Sequence, residues 1–435
     1  MTTPTWIPPT AELSALGFKG GESVVPTAAT LRRRLHRPED DPWETLTLVE
    51  NDAGFTFELG AGLRPVGLRP ARRGGIITAT SGTPVWSSEF ERLAPGRLKD
   101  KLDEIDQKLT PTQGLFRWRK DGVIEEVEAP QAKTKNKCIL LLVHGTFSHG
   151  AMYEKAFSDP AGPGKDFLAW AFTAYDEILL FNHPTLAVPA WLNASELARC
   201  FDGCAAKIDV ICHSRGGLVV RWWLDVLRPG RAATRVVYVA VPLAGTGLAS
   251  PPRLTETLNY LANFAGFLGT ATNKVGDFAG WAKIFFSVAA GLMQIVSALI
   301  RGAAAIGVAD AVVHLIPGFL SMARMSNNSE IKHLRRLSLP TEGRFAIKSN
   351  YDLAKPGFKL WRYVTEAKKR LGNYGADVLF AADNDLVVDT GSMDDLQQEL
   401  RIPSTQVYDF KTSEVHHCAY FAQVQTYEFM RKAFG

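Results

Sequence analysis

The segment IDVICHSRGGLVVRWW, Ile208 to Trp223, constrains the fold more than any other part of the chain. An apolar run ends at Cys212, Ser214 follows, and Gly216-Gly217 opens a stretch that stays apolar through Leu218, Val219, Val220 and Trp222. This spells strand, sharp turn and helix, with small residues where the two elements crowd. The runs CILLLV (138–143), EILLF (177–181) and RVVYVAV (235–241) share the continuous apolar texture of KIDVIC (207–212). Runs of this kind are strands buried on both faces, which requires a parallel sheet covered by helices. Arg344 to Lys348 and Gln406 to Phe410 are later strand candidates. The expected class is α/β.

Before residue 130 the texture differs. Thr45-Leu46-Thr47-Leu48 and Phe55-Thr56-Phe57-Glu58-Leu59 alternate apolar and polar residues, the period of half-buried strands. One helix interrupts them: in PGRLKDKLDEIDQKL, Leu98, Leu102, Ile105 and Leu109 share a helical face behind Pro95-Gly96. The polar stretch Glu128 to Lys137 reads as a linker. The expected organisation is a β-rich accessory region over 1–130, core over 131–253, an apolar helical insert over 254–322, and core again over 323–435.

Composition narrows the function classes. With 435 residues, 46% of them hydrophobic, the chain can bury a large core. Its 49 basic and 45 acidic residues leave a net charge of +4, too small to imply a nucleic-acid partner, and short runs such as Arg32 to Arg34 and Lys368 to Arg370 read as solvated faces. Five cysteines, two of them (Cys138 and Cys212) inside strand-like runs, argue against a disulfide framework. Cys200 and Cys204 have helical spacing but no accompanying Cys/His pair, so packing is preferred to metal binding. The opening MTTPTWIPPTAELSALG lacks a basic leader and apolar stretch, so a cytoplasmic location is expected.

A Ser-x-Gly match means little alone; inside a strand-turn-helix context it becomes specific. The context resembles the nucleophile elbow of the α/β-hydrolase superfamily, and its lipase-like branch in particular. Glycine usually fills both positions two residues from the serine; here they hold Cys212 and Gly216. Three further segments are similar to that branch: LLLVHGTFSHG with its His144-Gly145 pair, LLFNHPTLAVPAWLNASELAR with Asn182-His183-Pro184, and VYVAVPLAGT. The resemblance covers about 135 to 435.

It implies an α/β-hydrolase fold and a serine hydrolase with Ser214 as nucleophile. An oxyanion hole would form from the backbone N–H of Thr146, with Phe147 as the alternative, and that of Arg215. His144 is expected to pack under the loop. The chain order Ser, acid, His then points to AADNDLVVDTGSM and SEVHHCAYFAQVQTYEFMRKAFG. Asp385 is favoured as the acid, with Asp383 and Asp389 open, and His417 as the base, with His416 open. No metal or organic cofactor is expected.

The block 254–322 is too apolar for a solvated helix pair and must bury its surface against the protein's own core, an acyl substrate under a lid, or a membrane. Residues 284–300, between Lys283 and Arg301, sit at the short edge of membrane-spanning length, and Arg301, Asp310 and His314 argue against a spanning pair. Three readings follow: a carboxylic-ester hydrolase for hydrophobic acyl substrates, with thioesterase, amidase or acyltransferase chemistry on the same triad; a non-catalytic binding module; and a membrane-associated scaffold, peripheral contact running through the insert.

Overall fold

The computed structural model describes residues 8–19, 42–51, 54–59, 83–227, 234–249, 254–270, 278–302, 316–324, 328–337, 340–352, 383–397 and 400–435. The basic runs at 32–34 and 368–370, Asp310 and His314 lie outside them.

Helix α1 (Thr10–Ala15) leads into β1 (Phe18–Lys19), β2 (Trp43–Asn51), β3 (Gly54–Leu59) and β4 (Thr83–Glu91). These strands form an antiparallel sheet in the order β1-β4-β2-β3. Helix α2 (Leu98–Leu109) buries Leu102 and Ile105, as its periodicity predicts.

The larger sheet contains β5 (Gly114–Trp118), β6 (Ile124–Val127), β7 (Cys138–Val143), β8 (Glu177–Asn182), β9 (Lys207–His213), β10 (Thr234–Val239), β11 (Arg344–Tyr351) and β12 (Val407–Ser413). Its order is β12-β11-β10-β9-β7-β8-β5-β6. Strands β7 to β12 pair in parallel, and β5 runs against both of its neighbours. Between β7 and β8 lie α3 (Ala151–Ser158) and α4 (Gly164–Ala174); α5 (Ala190–Cys200) then carries the chain back across β7 to β9. Right-handed crossovers in opposite directions place these helices on opposite faces of the sheet. Helix α6 (Gly216–Arg221) follows β9 and continues as a π-helical stretch over Trp222–Leu227. Every strand run read from the sequence is a strand here, and the architecture is the α/β-hydrolase fold.

Helices α7 (Leu254–Thr270) and α8 (Phe278–Gly302) form the apolar insert. Their surface is buried inside the protein, against the small sheet. Phe286 packs edge-on to Trp86 and tilted on Phe57. The segment Ala279–Leu299 is long and apolar enough to cross a membrane, yet 83% of its most apolar window is buried within the protein. Helix α7 also covers the free edge of β3. The Asn259 side-chain oxygen accepts the Phe57 N–H at 2.8 Å, and Asn263 both accepts from the Phe55 N–H and donates to its carbonyl, each at 2.7 Å. One helical turn rises about 5.4 Å and two strand residues about 6.8 Å, so asparagines four apart can serve alternate edge residues.

Strands β5 and β6 belong to the large sheet, where Arg117 on β5 pairs with the buried Glu177 on β8. The segment after β6 is tied down as well, because Glu177 accepts the N–H groups of Gln131 and Ala132. The short helix α9 (Pro317–Leu320) and α10 (Ser329–Arg336) lead back to β11, and α11 (Val424–Phe434) closes the chain.

Candidate active site

Ser214 follows the last residue of β9 with a φ of +51°, in the left-handed region that costs a non-glycine residue about 1–3 kcal/mol. The strained turn is held by its N–H on the Val239 carbonyl at 2.9 Å and by the Gly217 N–H on the Ser214 carbonyl at 3.0 Å. The glycines behind it answer to close approach. A Cβ at Gly216 would stand 2.3 Å from the His144 carbonyl oxygen, and one at Gly145 would stand 2.7 Å from the Ser214 Cβ. Cys212, the departure from the usual glycine, is fully buried, and its thiol donates to the Val237 carbonyl; burial holds its pKa well above the ordinary thiol value. A side chain of this size fits the site.

The loop after β7 brings Gly145 against the elbow, with Thr146 next along the chain. Phe147 also has a positive φ, +61°, and its ring packs edge-on against Phe285 and Phe319. Its N–H points to the Thr185 hydroxyl at 3.4 Å. Among the described residues, the N–H groups of Thr146 and Arg215 have no such acceptor. His144 is buried and stacked on His183, ring centroids 4.3 Å apart. The His183 N–H donates to His144 Nε2 at 3.1 Å, so the His144 proton sits on Nδ1 and goes to the Gly145 carbonyl. Burial keeps His144 neutral and pushes His183 down to about 3.

The turn that carries Asp385 bends tightly at the next residue, Leu386, φ +78°. Asp385 is fully buried with four donors on its carboxylate: the N–H groups of Val387 and Val388 on Oδ1, and His417 Nδ1 at 2.8 Å and the Tyr420 hydroxyl at 3.1 Å on Oδ2. This bonding places the His417 proton on Nδ1 and leaves Nε2 as an acceptor. The neighbouring aspartates and histidine have other surroundings. Asp383 is exposed, and Asp389 pairs with Arg324 at 3.3 Å. His416 sits among the rings of Phe264, Phe267 and Tyr351, where burial lowers its pKa to about 4.

Several supporting residues were not singled out from the sequence. His213 Nε2 donates to the His417 carbonyl at 3.1 Å, tying the histidine loop to the elbow. The Thr246 hydroxyl, in the turn after β10, donates to the Val387 carbonyl, and the Tyr260 hydroxyl of α7 to the Leu386 carbonyl, both at 2.6 Å. No local pattern marks these roles, although Tyr420 stood in the segment that suggested His417. Among the described residues no group of three His, Cys, Asp or Glu side chains is arranged to hold a metal ion. A surface cavity of about 320 Å³ is walled by Trp191, Trp222, Leu227, Glu330 and His333 on α5, α6 with its continuation, and α10; its walls include neither Ser214 nor His417.

The family model matching residues 107–435 is described as a domain of unknown function, DUF7379. The chain belongs to the DUF7379 family. No curated protein matches it significantly. Among solved structures it is similar to lipase 1 from Pelosinus fermentans (13% identity, covering 68% of this chain and 98% of that one, TM-score 0.43). It is also similar to the mature lipase BlEst2 of Bacillus licheniformis (16% identity, 73% and 97%, TM-score 0.32). A third is the 2-hydroxy-6-oxo-6-phenylhexa-2,4-dienoate hydrolase of Rhodococcus sp. strain RHA1 (11% identity, 68% and 90%, TM-score 0.37). At these distances the fold assignment rests on this chain's own sheet order and elbow. The DUF7379 match contains Ser214, Asp385 and His417, and Asp106 immediately precedes it.

Proposed function

We propose that this DUF7379 protein is a serine hydrolase acting on carboxylic esters with a hydrophobic acyl portion. The observation that carries the reading is the 2.8 Å bond from His417 Nδ1 to the fully buried Asp385, on a loop tied by His213 to a strained Ser214. In the proposed reaction His417 Nε2 takes the Ser214 proton as the hydroxyl oxygen attacks the acyl carbonyl, and Asp385 stabilises the imidazolium that forms. His417 then protonates the leaving alcohol, and a water molecule, activated by the same nitrogen, releases the acyl group. The N–H groups of Thr146 and Arg215 would receive the oxyanion, where a preorganised donor is worth about 3 kcal/mol.

Support for an apolar acyl group comes from the surroundings of Phe147, whose ring packs in a buried cluster with Phe285 and Phe319, Phe264 packing on Phe285 in turn. The decisive experiment is labelling of the purified protein with a fluorophosphonate, alongside hydrolysis of p-nitrophenyl esters of increasing chain length. Wild type should label and turn over ester while Ser214→Ala and His417→Ala do neither. Folded wild type that fails to label would overturn the assignment in favour of a non-catalytic module.

A further inference from the structure

The loop between β8 and α5 is gripped by two buried side chains of opposite charge. On one side Asp106, at the C-terminal end of α2 and 2% exposed, accepts four bonds. The Thr185 N–H (2.6 Å) and hydroxyl (3.2 Å) reach its Oδ1, and the N–H groups of Leu186 (2.9 Å) and Ala187 (2.7 Å) reach its Oδ2. On the other side the fully buried Arg215 guanidinium donates to the carbonyls of Pro184 and Val188, and to the Ser321 hydroxyl at 3.2 Å. Peptide N–H groups thus face the carboxylate and peptide carbonyls face the guanidinium, so the loop's dipoles bridge two charges that do not touch.

Both halves of the oxyanion site are indexed to this bridge. The Thr185 hydroxyl, having given its proton to Asp106, accepts from the Phe147 N–H, the residue after Thr146. Arg215, whose side chain is the other clamp, offers its own backbone N–H at the elbow. Thr110, one residue past α2, places its hydroxyl 3.4 Å from the carbonyls of both Ser148 and His183.

We propose that Asp106 is a positioning residue for the oxyanion site, setting the Thr146–Phe147 segment and the Arg215 N–H at their mutual spacing through the 185–187 loop. This rests on the serine-hydrolase reading above. It assigns a role in the chemistry to a residue within the region first read as accessory, because α2 is packed against the loop that the elbow and the oxyanion segment share.

The test uses the full chain, with sites counted by exhaustive fluorophosphonate titration and kcat and KM measured on p-nitrophenyl butyrate. Asp106→Asn puts an amide donor against N–H groups that need an acceptor, and should lower kcat per titrated site about ten- to a hundredfold with KM little changed. Thr185→Val, which removes only the relay, should lower kcat in the same direction, and Thr185→Ser should restore it. A merely structural Asp106 would lower the melting temperature and the number of titratable sites but leave turnover per site intact. Turnover per site within about twofold of wild type in both Asp106→Asn and Thr185→Val would overturn the proposal. Should Asp106→Asn fail to fold, Thr185→Val decides alone. If wild type itself does not label, it is the hydrolase reading that has failed, and the positioning role goes with it; if wild type labels and Ser214→Ala does not, normal turnover in the variants refutes the positioning role only.

Discussion

Asp385 and His417 are joined twice: the histidine ring donates from Nδ1 to the carboxylate at 2.8 Å, and its backbone N–H donates to the Asp385 carbonyl at 2.9 Å. The second bond does not depend on the carboxylate. Asp385→Asn should therefore keep the two loops together while its amide nitrogen forces the proton of His417 onto Nε2, the wrong tautomer for a base. We expect kcat to fall about a thousandfold or more with a nearly unchanged circular dichroism spectrum. Ester turnover measured across pH checks this, and a loss below tenfold would contradict the proposed role.

Tyr420→Phe removes one of the two donors on Asp385 Oδ2. The carboxylate then keeps three donors, the N–H groups of Val387 and Val388 and His417 Nδ1, and Oδ2 is held less firmly in the direction of the histidine. Ester turnover at neutral pH should fall by a few fold with fluorophosphonate labelling retained, and an unchanged kcat would contradict a role for this bond.

Gly216→Ala would set a Cβ 2.3 Å from the His144 carbonyl oxygen and 2.6 Å from that of Val143. Both obstacles are backbone, so relief requires α6 to move off β7. Expected losses are about 3 kcal/mol or more, read as a lowered urea midpoint, together with loss of fluorophosphonate labelling.

Asn263→Ala deletes the two bonds to the Phe55 backbone and leaves a β3 edge N–H without its acceptor. The expected destabilisation is about 2–4 kcal/mol. Limited proteolysis should show the small sheet as the first part released, since the substitution weakens its hold on α7.

Glu330, on α10 near Arg215, has its pKa pushed up to about 7 by burial, the Arg215 charge offsetting this only in part. A carboxyl that keeps its proton longer in the folded state contributes its stability below about pH 4.5 and loses it as pH rises through 7. Glu330→Gln, a permanently neutral counterpart, should match wild type in melting temperature near pH 4.5. It should exceed wild type at pH 8, by at most about 3 kcal/mol. Parallel melting curves for the two proteins across that range would contradict the sign.

What could be read along the chain was whatever the backbone settles within a few residues. The runs at 138–143, 177–181, 207–212 and 235–241 became β7 to β10 because a continuous apolar stretch has only one stable place, inside a covered parallel sheet. The elbow was legible for the same reason, since its turn and its small residues lie within one short segment.

The choice among neighbours was not legible. Asp383, Asp385 and Asp389 share one turn, and His416 and His417 are adjacent. Only the folded chain shows Asp383 in solvent, Asp389 on Arg324, His416 in an aromatic cluster and His417 on Asp385. The apolar insert posed the same difficulty, because amphipathic character says that a face must be buried and not against what.

The sequence by itself thus determined the strands, the elbow and the two later segments in which an aspartate and a histidine follow Ser214. Tertiary structure alone decided that Asn263 would hold a strand edge 208 positions away and that Asp106 would anchor a loop 79 positions away. Backbone sterics and periodicity act between near neighbours, whereas the burial of a charge or the satisfaction of a strand edge depends on which distant surfaces meet.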